Sequence, residues 1–150
     1  MVVSNRWILP DGVVDVLPAQ AQLLEAIRGR MLKLFDSWGY DLVIPPMLEF
    51  TDSLHSAAGE DLELLTFRTV DPLRGKTMGV RPDITPQIAR IDAHSLRTEG
   101  PARLCYAGTV LHTRARDVLS SRTPISIGLE LFGETSISAD IEVVRLFLKS

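Results

Sequence analysis

The sequence predicts an α+β domain in which an antiparallel sheet is flanked by helices. Two stretches, residues 104–114 and 124–133, alternate side chains with the period of a strand. An apolar stripe at helical spacing lies well before them, and a second one follows directly after.

Residues 103–133, RLCYAGTVLHTRARDVLSSRTPISIGLELFG, are the centre of that prediction: two antiparallel strands joined by a basic loop. In the first strand, Tyr106, Gly108, Val110, His112 and Arg114 share one face, and Cys105, Ala107, Thr109, Leu111 and Thr113 the other. In the return strand, Ile125, Ile127, Leu129 and Leu131 oppose Ser126, Gly128 and Glu130. A carboxylate buried in so apolar a strand costs several kcal/mol unless it is partnered. Gly128 removes a side chain at a point where another group approaches closely. A small pocket floored by Ser126, Gly128 and Glu130 is one reading; a solvated outer face with one harmless Glu is the other.

Taken in order, residues 6–17 form an irregular lead-in with the turn signal Pro10-Asp11-Gly12. Pro18 opens a helix, where its missing N–H costs nothing, and Leu23, Ile27, Met31, Leu34, Phe35 and Trp38 form its stripe up to the stop at Gly39. Residues 40–44 are a short strand ended by Pro45-Pro46, which places it at an edge or an end. Residues 50–63 are a polar connection with at most one helical turn. Residues 64–70 and 76–81 then form a hairpin around Asp71-Pro72-Leu73-Arg74-Gly75. Next comes Arg81-Pro82-Asp83-Ile84-Thr85-Pro86, in which Thr85 caps a helix beginning at Pro86 and closed by Gly100-Pro101. Asp83 sits at the strand-to-helix corner, either facing a ligand or turning the chain and pairing with Arg81 or Arg90. Ser138 starts the last helix, with Asp140 and Glu142 near its positive end and Ile141, Val144 and Leu148 as its stripe. That helix meets no stop signal before Ser150. Residues 1–150 are therefore expected to be the N-terminal part of a longer domain, truncated at its C-terminus.

Composition bounds the function. At 45% apolar and 23% charged, 150 residues suffice for one domain with a real core and exclude a disordered chain. No apolar run is long enough to span a bilayer, and no secretory signal opens the sequence. Cys105 stands alone, and His55, His94 and His112 lack metal-ligand spacing. No cofactor or metal is implied, and a cytoplasmic location is the default. A net charge of −3 argues against nucleic-acid binding.

The order helix, strand-Pro, RPDIT and YAGTVLHTR…ISIGLELFG resembles the catalytic core of class II aminoacyl-tRNA synthetases, in particular the histidyl-tRNA synthetase group. Gly39-Tyr40 through Pro46 and Glu49 resembles the first, dimer-forming motif, which implies self-association through residues 18–46, from Pro18 to Pro46. Val80 to Thr85 is similar to the LRPEGT segment, and Tyr106 to Gly133 to the second motif. By the resemblance, Asp83 stands where a Glu holds the ligand's ammonium, Thr85 keeps its hydroxyl, Glu130 matches an acid of the histidine pocket, and Ser126 replaces a Gln. An active synthetase carries an Arg and, two places on, a Glu in the second motif; here they are His112 and Arg114. A His lacks the guanidinium fork that grips phosphate, and losing such a contact costs about two or more orders of magnitude in rate. His112, Arg114 and Arg122 thus mark a degenerate ATP site.

LCYAGTVLHTR and RPDITPQIARID are similar to the regulatory-subunit family of ATP phosphoribosyltransferase, non-catalytic paralogues of these synthetases. That resemblance implies a partner, the catalytic subunit that condenses ATP with phosphoribosyl pyrophosphate in the first step of histidine biosynthesis. It also implies histidine as a feedback effector, and neither tRNA nor a membrane as a partner. The alternative is a divergent histidyl-tRNA synthetase that forms histidyl-adenylate and charges tRNA; a purely structural dimer module is a third reading.

Overall fold

The computed structural model describes residues 7–54, 60–97, 99–115 and 120–150. Arg6 of the lead-in, His55 and part of the basic loop (116–119) lie outside the described residues.

Helix α1, Pro18–Asp36, begins with Pro at its first turn behind an extended Leu17 and ends in a turn at Gly39, whose φ of +80° favours glycine. Strand β1, Asp41–Leu42, then runs parallel to β5, Ala102–Thr109, and β5 pairs antiparallel with β6, Ile125–Phe132, giving the order β1-β5-β6. Between them lies a second antiparallel sheet, β2-β4-β3, built from β2, Leu48–Phe50, β3, Phe67–Val70, and β4, Thr77–Val80. Short helices α2, Thr51–Leu54, and α3, Glu60–Leu65, connect β2 to β3. Helix α4, Thr85–Arg90, passes into a π-helical turn over Ile91–Leu96, and α5, Ile137–Lys149, follows β6.

The alternation of β5 explains its central place, because both of its faces are covered. Leu104 and Tyr106 pack with Val110 against Ile84 and Ile88 of the α4 segment. Cys105 packs on the opposite side with Phe35, Tyr40 and Leu146, which belong to the α1 and α5 side. Burial pushes the Cys105 thiol up to about 11, with smaller contributions from the carboxylates of Asp41 and Asp36.

Several expectations shift. The first hairpin strand stops at Thr109 rather than Arg114. Beyond it, alternate N–H groups change sheets: Val110 and His112 donate to Pro124 and Arg122, whereas Leu111 and Thr113 donate to Arg81 and Leu65. The residues keep their two-sided alternation, so the sequence still reads as strand. Leu64 and Leu65 belong to α3 instead of β3, and residues 48–50 form a strand too short to show a period. Thr85 is the first residue of its helix and does not cap it; Ile84 takes the cap position without a side-chain bond. That helix ends at Arg97 in the left-handed conformation (φ 47°), before Gly100 is reached.

The stripes also seat differently. In α1 only Phe35 is buried, and Leu23 and Ile27 stay exposed. In α5 the expected stripe, Ile141, Val144 and Leu148, faces outward, while Ala139 and Leu146 are buried. On the inward side, with Leu146, Glu142 accepts bonds from Arg103 Nε (2.8 Å) and Nη2 (2.9 Å) and from the Tyr40 hydroxyl (3.0 Å). This fork-on-carboxylate contact ties α5 to β5 in the rotation that also buries Leu146. Burial and the Glu142 carboxylate together push the Tyr40 phenol up to about 12. Among the described residues, no helix is long and apolar enough to cross a membrane.

Candidate functional site

The register of the β5–β6 hairpin builds the site. Leu104, Tyr106 and Gly108 face Glu130, Gly128 and Ser126 across the ladder, so all six project toward α4. Both glycines make room for something large. A Cβ on Gly128 would lie 2.4 Å from the Tyr106 hydroxyl oxygen, so the Tyr106 ring occupies that space. A Cβ on Gly108 would lie 2.5 Å from Arg81 Nη2. Arg81 is buried, and it donates from Nη1 to the Pro45 carbonyl (2.8 Å) and from Nε to that of Thr109 (3.0 Å). It thus ties the Pro45-Pro46 segment to the end of β5. Burial lowers its pKa, and the Glu49 carboxylate partly offsets that.

Four residues later, Thr85 turns its hydroxyl inward, donating to Glu130 Oε1 at 3.0 Å and meeting the Tyr106 hydroxyl at 3.1 Å. The helix lacks a side-chain cap because Ile84, without a polar side-chain atom, holds the cap position, while the Thr85 hydroxyl is engaged inside. Glu130 is half-buried, and burial holds its carboxyl above the usual range; donation from Thr85 works the other way, and the nearby Asp83 carboxylate adds to the rise. Asp83 Oδ1 accepts from the Ile84 N–H at 2.7 Å and so shapes the corner without an Arg partner in that bond.

Asp83 and Ser126 line a cavity of about 310 Å³ together with His112, Ser121, Val110 and Ile125. Thr85 and Glu130 are not among the lining residues; Glu130 is linked to the cavity by the charge of Asp83, and Thr85 bonds Glu130 and Tyr106. The structure therefore brings Asp83, Thr85, Ser126 and Glu130 into one neighbourhood.

The three residues of the degenerate ATP site diverge. His112 is buried and bonds through Nε2 to the Pro82 carbonyl at 2.9 Å; since a carbonyl only accepts, that nitrogen carries a proton. Arg114 is exposed and borders a separate cavity with Asp61 and Leu65. Arg122 donates to the carbonyls of His112 and Asp11 (both 3.0 Å) and stacks over the Phe67 ring, 5.2 Å from its centroid. Its aliphatic stem covers Gly12, so it fastens the lead-in to the loop. Sequence reasoning had not singled out Tyr106 or the tie made by Arg81. A Tyr directly opposite a Gly on neighbouring strands was the available signal for the first.

A family model described as histidyl-tRNA synthetase matches residues 12–150. The chain belongs to the histidyl-tRNA synthetase family. Within that family it is 56% identical, over 99% of its length, to a protein of Stutzerimonas stutzeri named ATP phosphoribosyltransferase regulatory subunit. It is 58% identical, over 97% of its length, to one of the same name from Saccharophagus degradans. The chain spans 38% and 37% of the lengths of these two relatives. A Bacillus halodurans structure described as an ATP phosphoribosyltransferase regulatory subunit/histidyl-tRNA synthetase superposes with a TM-score of 0.85 at 30% identity, covering 99% of this chain and 38% of that one. Apo histidyl-tRNA synthetase from S. aureus, 21% identical, superposes with a TM-score of 0.77 over 95% of this chain and 33% of that one, which shows the shared fold. The α+β, class II synthetase-like fold read from the sequence is the one observed.

Proposed function

We propose that the chain forms part of the regulatory subunit of an ATP phosphoribosyltransferase, has no synthetase activity of its own, and binds histidine as a feedback effector. One observation carries the reading: none of the three residues at the degenerate nucleotide site presents a free guanidinium to the cavity. The His112 ring is committed to Pro82, Arg114 borders another cavity, and the Arg122 guanidinium is engaged with backbone carbonyls and Phe67. A triphosphate finds little to hold it there, since phosphate recognition relies on bidentate, charge-assisted donors.

The acidic side of the site suits the amino acid instead. Asp83 offers a carboxylate to an ammonium at the cavity wall, Ser126 offers a hydroxyl, and Thr85 holds Glu130 ready for a cationic or donating side chain. The names carried by the relatives support the assignment to a catalytic partner subunit. Self-association is proposed through residues 18–46, where Leu23, Leu24, Ile27, Leu42 and Ile44 expose apolar surface that a monomer would leave wet. No tRNA partner is invoked, and the location is taken as cytoplasmic.

Feedback requires histidine to distinguish two states of the assembly, a coupling typically worth about 1–3 kcal/mol. Calorimetric titration of the full-length protein, with and without its catalytic partner, tests this. Heat of binding with altered partner activity supports the proposal; no heat together with unchanged activity removes it. Robust histidine-dependent ATP–pyrophosphate exchange would replace it with the synthetase reading.

A further inference from the structure

We propose that Tyr106 is the positioning residue of this site: seated over Gly128, it holds the Thr85 hydroxyl in donation to Glu130 and so sets the carboxylate that meets the ligand. The role as a ligand site rests on the reading above, whereas the positioning rests on geometry alone.

Thr85 has one hydroxyl proton, and it goes to Glu130 Oε1. In the 3.1 Å contact between Thr85 and Tyr106, the phenol must therefore be the donor. Burial, with the charges of Asp83 and Glu130, raises the Tyr106 pKa and keeps it a neutral phenol able to donate. The two bonds run in one direction, from Tyr106 to Thr85 to Glu130. The α4 backbone offers the hydroxyl no competing donor at Pro86, Gln87 or Ile88, because Pro86 has no N–H and those of Gln87 and Ile88 already donate to the Ile84 carbonyl, so the phenol donor is what holds the hydroxyl from its acceptor side. Tyr106 selects the inward rotamer.

Its own placement is rigid. The ring is 6% exposed, packs in the cluster of Ile84, Ile88 and Leu104, and fills the volume that Gly128 leaves vacant. Its other flank comes within interaction range of the Ser126 hydroxyl, which lines the cavity. Among the described residues, Glu130 Oε1 is bonded and Oε2 makes no hydrogen bond to protein, leaving it for a cationic group of the ligand. The groups that act on Glu130 are Thr85 from α4, the Asp83 carboxylate from the preceding corner, and Tyr106 through Thr85.

The test is Tyr106→Phe in the full-length protein, which keeps the ring and deletes the donor, with Thr85→Val as the second variant. The Glu130 carboxyl is followed by NMR pH titration after carbon-13 labelling of glutamate, and histidine affinity by calorimetry over a pH series. Loss of ordered donation leaves the ionised carboxylate less favoured. The Glu130 titration midpoint should move to higher pH in Tyr106→Phe, as in Thr85→Val, and the double variant should add nothing to Thr85→Val. Histidine affinity should drop about fivefold, as for one lost neutral hydrogen bond, and its acid limb should move the same way. An unchanged Glu130 midpoint in Tyr106→Phe overturns the positioning role. If the wild type gives no heat with histidine while the midpoint still moves, the histidine reading fails and the positioning role stands.

Discussion

Replacing Gly128 by Ala probes the packing on which the site rests. The added Cβ would lie 2.4 Å from the Tyr106 hydroxyl oxygen, 2.5 Å from Cζ and 3.1 Å from Cε1. Carbon contacts settle at about 3.5–4.0 Å, so the ring must withdraw by roughly 1 Å. It cannot do so freely, because Ile84, Ile88 and Leu104 surround it and its hydroxyl is bonded to Thr85. Overpacking of a filled core costs about 1–3 kcal/mol, and the strained hydroxyl bond adds roughly 1, for a total of about 2–4 kcal/mol. With a urea slope of about 2 kcal/mol per molar, the unfolding midpoint should fall by roughly 1–2 M. On a Tyr106→Ala background the clash is gone, and the same substitution should become nearly neutral, a coupling of about 2–4 kcal/mol. A midpoint shift below about 0.3 M, or strict additivity in the double variant, would refute the close packing of Tyr106 over Gly128.

The same exchange in α1 should have the opposite sign: no atom lies within 4 Å of a Cβ on Gly29, so Gly29→Ala should stabilise by about 0.5–1 kcal/mol in the same urea assay. Arg81→Lys leaves a single ammonium where two separate N–H groups now satisfy the Pro45 and Thr109 carbonyls, and thermal unfolding should report a loss of about 2–3 kcal/mol. The Arg103 guanidinium, followed by the Tyr40 hydroxyl, holds the Glu142 carboxyl below its ordinary 4.5, so its contribution is present above that pH and lost as pH falls below it. Glu142→Gln should therefore destabilise at neutral pH, by on the order of 1 kcal/mol for a partly exposed pair, and lose its effect in acid melts. Glu130 is the reverse case: burial raises its carboxyl above 4.5, so native stability declines as pH climbs through that value toward the folded pKa. Glu130→Gln should accordingly raise the melting temperature at neutral pH and leave it unchanged near pH 4 or below, while weakening histidine binding.

Much of the candidate site was legible because strand alternation is a local property. The side chains of Ser126, Gly128 and Glu130 fall on one face whatever the rest of the chain does, and the observed register keeps them there opposite Tyr106 and Gly108. A Glu amid apolar neighbours announced that it needed a partner. The identity of that partner was not legible. Thr85 looks like a helix cap in sequence, and only the approach of β6 to α4 gives its hydroxyl a carboxylate 45 residues away. Arg122 likewise reads as a loop cation, until the lead-in and Phe67 come together around it.

What the sequence determined by itself was the family pattern, the central hairpin with its two faces, the start of α1 at Pro18, and the absence of a phosphate-gripping Arg at position 112. What only the tertiary structure decided was where each polar group finds its bond. The α5 stripe faces outward while Leu146 and Glu142 turn inward, Glu142 to Arg103, and beyond Thr109 alternate N–H groups go to Arg81 and Leu65. Periodicity fixes the face a residue occupies, because it follows from backbone geometry over a few neighbours. Hydrogen-bond partners and rotamers are chosen among groups distant in the chain, and that choice exists only once the elements have packed.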